Sequence, residues 1–128
     1  MNSPLSRLIE VASVVDIDLA PLGHVNDEAA PTAAATLDRL SLEVASQYAC
    51  GKMSFELADE IMNYVFAFAW TQSFLESNRN IPEISFAVYQ AFDEGEYHRS
   101  KDQRSEHPEE KYTKPLVSEL LRKYQNAA

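Results

Sequence analysis

Residues 93–112, reading DEGEYHRSKDQRSEHPEEKY, hold the densest set of side chains able to do chemistry: seven acids, four bases, two histidines and the tyrosines 97 and 112. Carboxylates and imidazoles are ligands for zinc, manganese or iron. Their spacing does not favour that use. Glu94, Glu96 and His98 share a face only in extended chain, and Gly95 between them works against a rigid strand. No HExxH and no helical Glu-x-x-His pair accompanies them. No metal and no cofactor is therefore expected. Acid–base catalysis fares no better, because His24, His98 and His107 all fall in predicted loops, where exposure keeps a histidine ordinary. There is no G-x-S-x-G elbow, and the three glycines form no phosphate-cradling loop. Cys50 sits at the end of a predicted helix, where the dipole disfavours a thiolate, and is expected to be a buried structural cysteine. As the only cysteine it excludes an intrachain disulfide and a multi-cysteine zinc site.

Binding chemistry is better represented. The formal net charge is −9, with twelve acids against four bases in residues 1–92 and one acid against three bases in residues 113–128. An acidic body repels phosphate backbones, which disfavours nucleic acid, and attracts basic proteins. A charged stretch as long as 93–112 contributes little to a core; such a loop is a flexible connection, a partner-contacting element or a gate over a ligand. The aromatic run Tyr64, Phe66, Phe68, Trp70 and Phe74 has helical spacing, so it belongs first to a core and second to an interface, where Trp is a common anchor. The residues expected to meet a partner are Asp93, Glu94, Glu96, Tyr97, His98 and Trp70.

Five segments should form the helices that position these groups. Ser3-Pro4 reads as a helix start, followed by the stripe Leu5, Leu8, Ile9, Ala12, Val15. Residues 16–30, with Pro21 and Gly23, read as irregular or mobile. A second helix is expected from Pro31-Thr32 to Cys50, with Gly51 as its stop. Its inner face is Leu37, Leu40, Val44 and Tyr48; Asp38, Arg39 and Glu43 point away. Ser54 should cap the third helix, and Glu56, Asp59 and Glu60 suit its N-terminal dipole. Two adjoining stripes run along it, Leu57–Ile61–Val65–Phe68–Gln72–Leu75 and Met62–Phe66–Trp70–Phe74, which makes it central or shared with a second chain. A fourth helix opens at Pro82-Glu83, turns Ile84, Val88, Tyr89 and Phe92 inward and stops at Gly95. A fifth follows Thr113, with Leu116, Val117, Leu120, Leu121 and Tyr124 as its buried side.

The fold class is thus all-α: one domain over 1–128, a compact bundle of four or five helices with a long charged loop before the last helix. The N-terminus lacks the pattern of a secretory signal, and the most apolar run, Ile61 to Trp70, falls well short of the roughly 20 residues a membrane span needs. A cytoplasmic protein is expected. In size, acidity and helical character the chain is similar to small bacterial immunity proteins, single acidic domains that block a toxin; that likeness implies an inhibitor of a basic protein and assigns no individual residue. The first expectation is an acidic helical interaction module of this kind. The others are a metal- or small-ligand-dependent enzyme with a pocket between helices closed by the 93–112 loop, and a structural homodimer.

Overall fold

A computed structural model describes residues 4–15, 17, 19, 30–70, 82–97 and 107–125. Among these the chain forms five α-helices: α1 (Pro4–Val11), α2 (Ala30–Ala49), α3 (Phe55–Ala69), α4 (Glu83–Asp93) and α5 (Lys114–Gln125). A 3₁₀ turn, Ala12–Val15, extends α1, and a π-helical turn, Glu109–Thr113, leads into α5. The compact all-α bundle expected from the sequence is the fold.

Three helices make the centre. α2, α3 and α4 pack on one another, α1 lies against α3, and α5 lies against α2 and α4. α3 therefore shares the central position rather than holding it alone. Its buried residues, Ala58, Ile61, Met62, Val65, Phe68 and Ala69, meet Leu37, Leu40 and Val44 from α2 and Val88, Ala91 and Phe92 from α4 in a single cluster. Phe92 sits in an aromatic triangle, 5.1 Å from the Tyr48 ring centroid and 6.0 Å from that of Phe55. Ile17 and Leu19 also pack on this core, so the stretch predicted to be irregular seats two apolar residues before α2 begins.

Local chemistry fixes the helix ends. Gly51 has φ +83°, the left-handed region open to glycine, and its N–H donates to the Tyr48 carbonyl while Lys52 N–H reaches back to Gln47. This is a Schellman ending, and it stops α2 where the sequence placed the stop. Ser54 then caps α3, its hydroxyl accepting from Leu57 N–H at 3.1 Å. α4 has Pro82 at its N-cap and no side-chain cap from its own segment. Asp38 of α2 supplies one instead: its carboxylate accepts from Ser85 N–H at 2.9 Å and from the Ser85 hydroxyl at 2.8 Å. Burial pushes the Asp38 carboxyl upward and the two Ser85 bonds oppose that shift. The expectation that Asp38 points away from the packed face is thus corrected, because Ser85 in the first turn of α4 lands its N–H and its hydroxyl on it.

The charged loop is shorter than the sequence implied. Asp93 belongs to α4, and helical structure resumes at Pro108, so residues 108–112 are helical rather than irregular. Pro115 explains the wide turn: it has no N–H to donate and its ring crowds the carbonyl four residues back. The Lys114 N–H reaches back to Glu109 instead, the spacing of a π-turn. Glu109 then accepts from the Tyr48 hydroxyl at 2.5 Å, which pins the turn to α2 and raises the Tyr48 pKa by burial and by that carboxylate.

Three expected burials are also revised. Cys50 is exposed, since it follows the last residue of α2 at the turn. Ile9 and Leu116 are 51% and 36% exposed, each beside a buried neighbour, Leu8 on α1 and Val117 on α5, since both helices lie on the outside of the bundle. Gln72, Phe74, Leu75, His24 and His98 lie outside the described residues. Among the described residues no helix is long and apolar enough to cross a membrane.

Candidate interaction face

α3 and α4 pack side by side, and one outward strip of the pair gathers three of the six residues expected to meet a partner, Asp93, Glu96 and Trp70. On α3 the strip runs Asp59, Asn63, Phe66, Trp70, spaced at four, three and four residues, which is one face of a helix. On α4 and the turn after it the strip runs Phe86, Tyr89, Asp93, Glu96. Phe66 stacks on Tyr89 with ring centroids 4.1 Å apart and planes 7° from parallel. It also lies 6.0 Å from Phe86 and meets Trp70 edge-on at 5.8 Å. Trp70 is 52% exposed and Phe86 37%, so the cluster is open to solvent at this end.

The other end is acidic. Asp59, half-buried, lies beside the Glu96 carboxyl and feels the charge of Asp93, while Asn63 on the same face partly offsets them. Burial is the largest influence, followed by the neighbouring Glu96 carboxyl, and together they push the Asp59 carboxyl up to about 7. Tyr89, between the two ends, is raised by burial and then by Asp93, Glu96 and Asp59. Asp59 and Trp70 stand about 16 Å apart along α3, from the helical rise. The strip is therefore amphipathic along its length, with carboxylates at one end and aromatic rings at the other.

Folded Asp59 holds its proton far above the unfolded value of 3.8, so its charge opposes folding increasingly as pH rises from about 4 to about 7. Asp59→Asn should accordingly stabilise the protein at pH 8 relative to wild type by about 1–2 kcal/mol, solvent screening at this half-open site having reduced the full shift. The gain should shrink at pH 5. Urea unfolding of both proteins at the two pH values measures it; a pH-independent difference would refute the assignment.

The six expected contact residues divide. Asp93 and Glu96 come together around Asp59, and Trp70 joins the same strip at its aromatic end. Tyr97, 50% exposed, follows Glu96 in the turn. Glu94 faces the opposite flank of α4, toward α5. His98 lies outside the described residues. Asp59, Asn63, Phe86 and Tyr89 were not anticipated, although the 59–63–66–70 and 86–89–93 spacings were present to be read. Among the described residues no three His, Cys, Asp or Glu side chains are grouped to hold a metal.

Compared with family models, curated proteins and solved structures, the chain matches none. The strip's own geometry is what bears on function. On its far side α3 is held to α1 by Arg7, which donates to Glu60 at 2.8 Å and to the Tyr64 hydroxyl at 3.1 Å. That tie gives the strip a firm backing on the α1 side.

Proposed function

We propose that the protein is an interaction module that binds a basic protein partner through the α3–α4 strip. The observation that carries this reading is the placement of carboxylates and half-exposed aromatics on one continuous face. Rigid aromatic rings bury a large area at small entropic loss and serve as anchors, while the acidic end orients the partner. The net charge of −9 adds long-range attraction that speeds encounter with a cationic surface and fades with salt. In its most specific form this is an immunity-type inhibitor, acting in the cytoplasm by covering a basic toxin.

Affinity capture from the native cell tests the proposal when the wild type is run beside Trp70→Ala and Glu96→Lys. A basic protein should be retained by the wild type. Trp70→Ala should weaken its binding by about tenfold or more, the effect of losing an anchor. Glu96→Lys should slow association and flatten its salt dependence. Both positions are exposed, so the variants should keep the wild-type circular dichroism; Trp70→Ala should also keep the melting point, whereas Glu96→Lys, which relieves Asp59 of a neighbouring carboxylate, should not lower it. Equal retention of the same protein by all three would remove the strip from the binding surface.

A further inference from the structure

On the opposite flank of α4 a groove of about 470 Å³ runs between α4 and α5. Its floor is apolar: Ala87 and Ala91 stand one helical turn apart on α4, and Leu116 and Leu120 face them from α5. Leu116 is 36% exposed and Leu120 half-buried. Glu94 and Glu119 rim the groove, one from each wall, and Arg122 stands 3.9 Å from Glu119.

We propose that this groove is a docking site for a short basic amphipathic helix of a partner protein. The two alanines hold the α4 surface low, so an incoming helix can approach closely. From Ala87 to Glu94 the groove follows α4 for about 10 Å, two helical turns, which accommodates apolar side chains at i, i+4 and i+7 of a helix laid along it. Lysines or arginines beside that stripe would meet Glu94 and Glu119. A second copy of the chain is the poorer occupant, since it would bring a net charge of −9 to an acidic rim. This site is separate from the α3–α4 strip, and either can fail without the other.

A synthetic helical peptide with leucines at i, i+4 and i+7 and flanking lysines is the probe, titrated into ¹⁵N-labelled full-length protein. Saturable shifts should appear at Ala87, Ala91, Leu116 and Leu120. Leu116→Glu should weaken binding about tenfold, and Glu94→Gln with Glu119→Gln should raise Kd several-fold and reduce its salt dependence. Trp70→Ala should leave the affinity unchanged. Shifts confined to the α3–α4 strip, equal binding of a peptide with glutamates in place of the lysines, or no effect of Leu116→Glu would each overturn the proposal. So would light scattering at twice 14.4 kDa without peptide, abolished by Leu116→Glu, which would give the groove to a second copy.

Discussion

Phe92→Ala is expected to destabilise the protein by about 3–5 kcal/mol, the range for emptying a fully buried phenylalanine site. Phe92 is fully buried and touches the aromatic rings of both flanking elements, Tyr48 from α2 and Phe55 at the start of α3. Removing it leaves a void where three helices meet, and neither neighbour can fill it freely. Tyr48 is held by its hydrogen bond to Glu109, and Phe55 lies one residue past the Ser54 cap. Partial collapse is therefore restricted, which puts the loss toward the upper end of the range. Domains of this size have about 5–15 kcal/mol in total, so the melting temperature should fall by about 10 °C or more. Phe86→Ala is the matched control. That ring is 37% exposed on the α3–α4 strip and, among the described rings, stacks only on Phe66, so its loss should cost clearly less, about 1–2 kcal/mol. Thermal unfolding of the two variants distinguishes a core aromatic from a surface one; similar losses would contradict this division of the aromatic residues.

The contrast between Phe92 and Phe86 shows what sequence could and could not reveal. Local signals were sufficient wherever a residue's role depends on near neighbours. Gly51 ends α2, Ser54 caps α3, Pro82 opens α4, and the stripes on α2 and α3 found Leu37, Leu40, Val44, Ile61 and Val65. Roles set by distant segments were hidden. Asp38 lies off the apolar stripe of α2 and looks like a solvent residue until α4 arrives with an uncapped N-terminus. Asp59 reads as a helix-dipole acid, and nothing in its neighbourhood announces Glu96. Ile9 and Leu116 continue good helical stripes, but outer helices bury less than the width of those stripes. The helical turn before α5 was missed for another reason: its glutamates and lysine carry no apolar periodicity, and Tyr48 and Thr113 hold it from outside the pattern.

Gly95→Ala should be the second severe substitution, at about 2–4 kcal/mol, although alanine is the smallest change available. Gly95 follows α4 and is buried against the π-turn. A Cβ there would overlap the Thr113 hydroxyl oxygen and lie 3.2 Å from the Glu109 Cα. Neither obstacle moves easily. Thr113 is fully buried, with its hydroxyl donating to the Ala91 carbonyl at 2.7 Å, and Glu109 is tied to Tyr48. To admit the methyl group, the turn after α4 must shift from the π-turn or give up the Thr113 bond inside the core. A double-mutant cycle separates this clash from any general intolerance. Thr113→Ala removes the overlapping oxygen, so Gly95→Ala should lose measurably less stability in that background, with a coupling of about 1 kcal/mol or more. Strict additivity would mean that the contact is not what demands glycine. The same contact positions Glu96, the next residue, against Asp59. Gly95→Ala should therefore also weaken the pH dependence carried by Asp59, an effect that simple destabilisation elsewhere, as in Leu8→Ala on α1, would not reproduce.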